Sequence, residues 1–180
     1  MNPISRIIIQ MSRRRIVRAI VLLPGTMTIV LPALLLYLGR GPAIGFELAW
    51  PLAALAVVAG AALLALGGGL MYRTISLLAA VGRGTLAPWD PTRRLVVNGP
   101  YRHVRNPMIT GVLAVLLGEG LVLGSPAILV MAAIFFAVNA TYIPLVEEPG
   151  LVDRFGDEYR AYSRHVPRWI PRVRPWSADV

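Results

Sequence analysis

Long runs of uncharged, mostly apolar residues dominate the chain. Residues 19–38 and 48–72, which are 20 and 25 residues long, contain no charged side chain. Each run is long enough to cross a hydrocarbon layer of roughly 30 Å as a helix that rises about 1.5 Å per residue. The pattern predicts transmembrane helices near 19–39 and 48–72. In the second run, small residues at helical spacing, ending at Gly60 and at Gly69, would permit close helix packing.

A third apolar run covers residues 106–146, and Glu119 is its one charged residue. As a single helix its 41 residues would extend roughly 60 Å, about twice the thickness of the bilayer core. Turn-favouring glycine, serine and proline are concentrated within 118–126, so the run should fold back as a hairpin. Two further spans are predicted, at 107–122 and 126–146. Glu119 is expected to be solvated or to pack between helices, and a functional role is the alternative.

The composition agrees with a chain that lies mostly in lipid. Hydrophobic residues make up 56% of the 180 residues, charged residues make up 15%, and cysteine is absent. A soluble domain usually carries about a quarter charged residues, so an ordinary soluble domain, a disordered chain and a disulfide scaffold are excluded. We expect an all-α membrane protein with four transmembrane helices. Residues 1–85 supply two of them and a loop, and 86–180 supply a helical hairpin and a cytoplasmic helix, as one integrated domain.

The basic residues indicate how the chain is oriented. The net charge is +9, and all 18 basic residues are arginine. All but Arg40 precede the first span, lie between the second and third spans, or follow the fourth. By the positive-inside rule, both termini and the 73–105 loop should be cytoplasmic, and we expect the inner membrane of a bacterium. Nucleic-acid binding is not expected, because no soluble module remains to perform it.

The polar segment 86–107 contains more turn-forming, aromatic and basic residues than a linker requires. It contains Pro-bounded turns, Tyr101 and several arginines directly before the third span. Pro107 suits the first turn of a helix, which leaves Asn106 at about the N-cap. With Arg102 and Arg105 beside it, this helix start is suited to an anionic group. Equally, the two arginines could simply end the span at the membrane interface.

A second polar segment begins with the acid pair, Glu147 and Glu148. Adjacent carboxylates at the end of an apolar helix are costly unless they face water, arginines or a ligand cation. Apolar residues then recur every three or four positions from Leu151 to Val166, which predicts an amphipathic helix on the bilayer or over a cavity. A metal site is not expected, because there are two histidines and no cysteine. The Gly-x-Ser-x-Gly pattern of many hydrolases is also missing from the sequence.

These polar blocks occur in a specific order. Gly-Pro-Tyr-Arg-His-Val-Arg-Asn-Pro-Met at 99–108 is followed by the apolar hairpin, the acid pair, Phe-Gly-Asp-Glu-Tyr at 155–159 and Val-Pro-Arg at 166–168. Over roughly residues 86–171, this order resembles the integral-membrane methyltransferases related to isoprenylcysteine carboxyl methyltransferase and phospholipid N-methyltransferase. A single block would be weak evidence, whereas the ordered set is specific.

The resemblance implies S-adenosylmethionine as methyl donor, bound without a Rossmann domain. It implies a lipophilic small molecule or lipid as acceptor, through a carboxylate, amine or thiol. Glu147 and Arg105 would be the catalytic residues, and Leu95 and Val96 would line the adenosyl pocket. The implied cofactor-binding set is Leu95, Val96, Tyr101, Arg102, Arg105, Asn106, Pro107, Met108, Glu147 and Glu148.

The sequence departs from the isoprenylcysteine enzymes at one informative place. Those enzymes carry an arginine a few residues before the acid pair, where Ile143 and Pro144 stand here. Prenylcysteine is therefore not the expected acceptor. A different class of function is also open, namely a non-catalytic membrane protein or a degenerate relative that binds lipid. Binding of S-adenosylmethionine separates the two hypotheses.

Overall fold

Every regular element in the described part of the chain is helical. The computed structural model describes residues 18, 21–39, 41–81 and 92–177. The helices are α1, which comprises the π-helical stretch Val21–Val30 and the α-helical stretch Leu31–Leu38, α2 (Leu52–Ala80), α3 (Pro107–Val122), α4 (Pro126–Tyr142) and α5 (Glu148–His165). A π-helical turn, Ile143–Glu147, joins α4 to α5, and 3-10 turns occupy Ile44–Glu47 and Gly99–Arg102. The predicted all-α class is confirmed for these residues. Predictions for residues 1–17 and for residues 82–91 of the 73–105 loop lie outside the described residues.

Helices occupy each of the four positions where the sequence predicts a span. Two helical runs, Leu52–Ala80 and Pro126–His165, are long and apolar enough to cross a membrane, while the apolar helices Leu22–Leu38 and Pro107–Val122 are shorter. The bounds of α3 agree with the prediction. Helix α2 begins four residues later than predicted and continues beyond Arg73. A charged residue ends the apolar run but not the helix, because the exposed arginine can extend its long side chain towards water.

The hairpin of α3 and α4 turns where the sequence predicts it, between residues 122 and 126. Gly120 lies inside α3, where a Cβ would collide with Leu129 of α4, so this glycine serves packing rather than the turn. The chain reverses at Gly124, whose φ of +58° favours glycine. Ser125 then caps α4, because its hydroxyl accepts a hydrogen bond from the Ile128 N–H at 3.4 Å.

Helices α2 and α3 pack through two pairs of glycines, and the pairing shows that they are antiparallel. A Cβ on Gly60 would lie 2.8 Å from the Gly118 carbonyl oxygen, and a Cβ on Gly67 would lie 2.7 Å from that of Gly111. Because the glycines are two turns apart in both helices, both pairs meet along one line of contact. The prediction for Gly60 agrees with this packing. The prediction for Gly69 is wrong, since a Cβ there would have open space around it.

Replacement of Gly67 by alanine should destabilise the protein by about 1–3 kcal/mol, because the added methyl group enters a filled contact. Gly68→Ala is the matched control, since a Cβ at Gly68 meets no atom within 4 Å and alanine favours the helix. Midpoints of thermal unfolding in detergent measure both effects. Equal midpoints for the two variants would contradict packing of α2 on α3 through Gly67.

The helix that contains α4 passes through the acid pair without a break. Pro149 and Gly150 lie between the predicted fourth span and the predicted amphipathic helix, and helical geometry continues through them from α4 into α5. The π-helical turn accommodates Pro144, which lacks an N–H and crowds the carbonyl four residues earlier. The chain changes direction instead at Gly156, where φ is +56° and ψ is −130°. This backbone conformation requires glycine.

Candidate functional site

A cavity of about 820 Å³ opens between α1, α3, α4, α5 and the loop before α3. Apolar side chains from α1 and α4 form one part of its wall, and polar side chains from the loop and the start of α5 form another. The structure brings nine of the ten sequence-predicted cofactor residues to this cavity. They are Leu95, Val96, Tyr101, Arg105, Asn106, Pro107, Met108, Glu147 and Glu148.

The N-terminus of α3 forms part of the cavity wall. Asn106 occupies the N-cap and Pro107 the first helical position, as the sequence predicts. The Asn106 side chain does not cap the helix, because its Nδ2 donates to the Arg168 carbonyl oxygen at 3.3 Å. The first turn of a helix leaves N–H groups without intrahelical partners, so this end of the cavity carries a partial positive charge.

Glu148 is held between two arginines. Its Oε1 lies 2.8 Å from Arg105 Nη1 and 2.8 Å from Arg168 Nε, and its Oε2 accepts a second hydrogen bond from Arg168 Nη2 at 2.8 Å. The Arg105 and Glu148 side chains are only 10% and 13% exposed. Burial alone would raise the pKa of Glu148, but the hydrogen bonds and charges of the two arginines lower it below the usual value. Glu148 is therefore an anion with both oxygens already bonded.

Glu147 has a different environment from its neighbour. It lines the cavity, and no hydrogen bond or ion pair to it occurs within the described residues. The Glu147 side chain is exposed, yet neighbouring protein atoms displace part of the water around its carboxyl and raise its pKa. The charge of Glu148 raises this pKa further, while Arg154 opposes both. The pKa of Tyr101 is also raised, first by burial and then by the charge of Glu147. Glu147 is thus the carboxylate available to a ligand.

Two buried tyrosines of α5 connect the acid pair to the loop. The Tyr162 hydroxyl donates to the Tyr101 carbonyl oxygen at 2.7 Å, and the rings of Tyr159 and Tyr162 are 6.1 Å apart. The charge of Arg105 also acts on the Tyr159 hydroxyl. Even so, Arg105 Nε is buried with no hydrogen-bond partner among the described residues. One buried donor beside the cavity therefore remains unsatisfied, which is unfavourable.

The C-terminal strap, residues 166–176, runs beside the loop in the opposite direction. Its backbone hydrogen bonds are Arg105 N–H to Pro167 O (2.8 Å), Arg172 N–H to His103 O (3.0 Å) and Trp176 N–H to Arg102 O (2.9 Å). Arg102, the tenth predicted site residue, does not line the cavity. Its Nε donates to the Trp176 carbonyl oxygen at 2.7 Å, so it fastens the strap.

Sequence reasoning missed the part of the wall that comes from α1 and α4. Leu22, Leu23, Met27 and Leu31 of α1 line the cavity, although the resemblance began at about residue 86. No motif marks these residues, since any apolar helix would supply similar side chains. Asn139 of α4 was also missed, and here a signal existed, because a lone amide in a charge-free apolar run is unusual.

Comparison with known proteins supports the resemblance to membrane methyltransferases. Residues 55–158 match the family model for phospholipid methyltransferase, which covers α2 through most of α5 and includes the acid pair. A phosphatidylethanolamine N-methyltransferase of Pyrenophora tritici-repentis is 29% identical over 92 residues, which are 49% of this chain and 10% of that protein. The chain thus corresponds to about a tenth of the length of this relative. No solved structure matches the chain. Since the family model covers more than half of the residues, the chain belongs to the phospholipid methyltransferase family.

Proposed function

We propose that the protein transfers a methyl group from S-adenosylmethionine to a lipophilic acceptor in the membrane, inside the cavity described above. One observation supports this most directly. A single cavity joins an apolar wall from α1 and α4 to a polar end that contains Arg105, Tyr101 and Glu147. When bound, the cofactor supplies an electrophilic methyl group on a positively charged sulfur.

The polar end of the cavity fits the functional groups of this cofactor. Arg105 lines the cavity with a positively charged guanidinium that suits a carboxylate, and the N-terminus of α3 adds to the positive potential. Glu147, with no partner in the described chain, suits the amine or the ribose hydroxyls. Leu95 and Val96 provide apolar surface for the adenine ring.

Positioning is the main task left to the protein. Direct methyl transfer between two bound molecules requires alignment rather than a covalent protein intermediate. Arg105 and Glu147 would contact the cofactor, whereas Glu148 would hold the Arg105 guanidinium in place. This assigns different tasks to the two members of the acid pair.

Calorimetry with S-adenosylhomocysteine, the demethylated cofactor, tests the proposal. We expect micromolar binding by the full chain and a loss of roughly 10- to 100-fold on Arg105→Ala, by analogy with other hydrogen bonds to charged groups. Absence of both heat and thermal stabilisation with the wild-type chain would favour the alternative function, a non-catalytic lipid-binding relative.

Four membrane spans, near 19–39, 48–72, 107–122 and 126–146, are part of the proposal, with both termini in the cytoplasm of a bacterial cell. The one-sided distribution of arginine supports this orientation. A reporter fused after Val180 should be active on the cytoplasmic side. Activity on the opposite side would contradict the arrangement.

Cofactor affinity should depend on pH through Glu147. Because the pKa of Glu147 is raised, this carboxylate becomes protonated at a higher pH than an ordinary glutamate as the pH falls. Protonation removes the anion that a cofactor amine or hydroxyl would contact, so affinity should fall with decreasing pH in that range. Calorimetry at a series of pH values measures the effect. Glu147→Gln should bind weakly with no such dependence, and an unchanged pH profile in this variant would contradict the assignment.

A further inference from the structure

The C-terminal strap leaves the loop over a short excursion. Two of the backbone hydrogen bonds described above join it to the loop at Pro167 and at Arg172. Four strap residues, 168–171, stand between these two bonds, whereas one loop residue, Val104, separates their partners. The additional strap residues must therefore project from the paired backbone. We call this excursion and the residues that follow it, 168–174, the strap tip.

One side of the strap tip rests on an apolar helix. The Trp169 ring packs edge-on against the ring of Phe136 on α4, with the centroids 5.2 Å apart. Phe136 lies in a helical run that is long and apolar enough to cross a membrane, and it precedes Glu147 by eleven residues, or roughly 16 Å of helix. It is partly exposed and does not line the cavity. The strap tip therefore lies on the outer surface of the bundle, next to a segment that lipid would surround.

The other side of the strap tip exposes two large apolar side chains. Ile170 is 80% exposed and Val173 is 93% exposed. A single exposed aliphatic residue is ordinary in any protein. Here, however, the two residues lie within four positions of each other and beside a tryptophan that packs on a membrane helix. Aliphatic side chains together with tryptophan are typical of segments that lie at the boundary between lipid head groups and acyl chains.

The charge of the strap is entirely positive. Residues 166–176 contain three arginines and no acidic residue. Arg168 is paired with Glu148, whereas Arg172 donates to a neutral acceptor, the His165 carbonyl oxygen, at 2.9 Å. Arg174 is exposed, with no hydrogen bond or ion pair within the described part of the chain. Two uncompensated cations beside exposed apolar side chains are complementary to a hydrocarbon layer under anionic head groups.

We infer that the strap tip docks on the anionic lipid surface of the cytoplasmic leaflet, with Ile170 and Val173 at the acyl boundary and Arg174 at the lipid phosphates. The inference goes beyond methyl transfer and rests on the proposed arrangement of the chain in the membrane. None of the seven tip residues, all of which the structure describes, lines the cavity. The docking surface is therefore separate from the proposed cofactor site, and only the pair between Arg168 and Glu148 connects them.

Site-directed spin labelling of the full chain tests the position of the strap tip. The sequence contains no cysteine, so one introduced cysteine carries the only label. Ile170→Cys is labelled with a nitroxide in nanodiscs that contain phosphatidylglycerol, and Val173→Cys repeats the measurement. Asp157→Cys is the control, because the Asp157 side chain is 94% exposed on α5.

Collisions of the label with oxygen, which concentrates in hydrocarbon, are compared with collisions with a water-soluble nickel chelate. We expect oxygen to dominate at positions 170 and 173, and the nickel chelate to dominate at position 157. Dominance of the nickel chelate at both tip positions would overturn the inference. Protection from both reagents there would show burial against protein, such as a second copy of the chain, and would also overturn it.

A dye sensitive to its environment, attached at position 170, tests the role of charge. The fraction of phosphatidylglycerol that gives half of the spectral change should rise roughly fivefold with Arg174→Gln, since each arginine near an anionic surface contributes about that factor. Arg160→Gln is the matched control, because Arg160 is exposed on α5 and paired with Asp157. Equal effects of the two variants would overturn docking on anionic lipid. The same spectral change with inorganic phosphate in phosphatidylcholine nanodiscs would show a site for free anions and would also overturn it.

Measurement of S-adenosylhomocysteine binding in the same samples separates this inference from the proposed function. Arg174→Gln should retain cofactor affinity within about twofold, because the two surfaces are separate. An equal loss of cofactor binding and lipid docking would overturn a separate docking surface. Failure of the wild-type chain to bind the cofactor, with the strap tip still docked in lipid, would reject methyl transfer and not the docking surface.

Discussion

Replacement of Glu148 by alanine is expected to lower the stability of the protein by about 2–3 kcal/mol. The change leaves Arg105, which is 10% exposed, as a buried cation without its anion. It also frees Arg168 of the strap, although the contribution of that pair is smaller because the Arg168 side chain is 41% exposed and screened by water. We therefore expect the strap to loosen and the thermal midpoint to fall.

Thermal unfolding in detergent measures this loss, and limited proteolysis reports on the strap. Glu148→Ala should expose residues 166–176 to protease at lower temperature than in the wild-type chain. Asp157→Ala is a suitable control, because Asp157 forms an exposed ion pair with Arg160 at 3.1 Å that should contribute little. A midpoint for Glu148→Ala equal to that of the control would contradict the structural role of Glu148.

Replacement of Glu147 by alanine is expected to weaken cofactor binding while leaving the stability of the protein nearly unchanged. Because Glu147 has no partner in the described chain, its removal should leave the thermal midpoint nearly unchanged and relieve repulsion with Glu148. Cofactor affinity should fall roughly 10- to 100-fold, which is typical for loss of a hydrogen bond to a charged group. Calorimetry with S-adenosylhomocysteine is the measurement. Full cofactor affinity in Glu147→Ala, or a loss of stability as large as that of Glu148→Ala, would contradict the assignment of cofactor binding to Glu147 and of a structural role to Glu148.

Local features were predictable from the sequence because local chemistry determines them. The bounds of α3 follow from Asn106 and Pro107 at its start and from the Gly124–Pro126 turn after its end. The nine cavity residues follow from the order of the polar blocks, which the family comparison supports. The role of Gly120 was not predictable, since this glycine could serve either a turn or a close helix contact, and only packing against Leu129 distinguishes the two.

Long-range contacts determine what the sequence could not show. The adjacent glutamates look alike in the chain, and they differ only because Arg105 and Arg168 approach from distant segments and bond to Glu148. Arg102 looked equivalent to Arg105, but the strap removes it from the cavity through Trp176. The helix continues past Pro149 after a π-helical turn and changes direction only at Gly156, which no local pattern in the sequence indicated.

The most direct test of the account is methyl transfer by the full chain in vesicles prepared from a total lipid extract. The vesicles are incubated with S-adenosylmethionine labelled on the methyl group, and the organic-soluble fraction is then counted. We expect label in a lipophilic product with the wild-type chain and its loss with Glu147→Ala. Label that remains entirely in the aqueous cofactor with the wild-type chain would contradict the account.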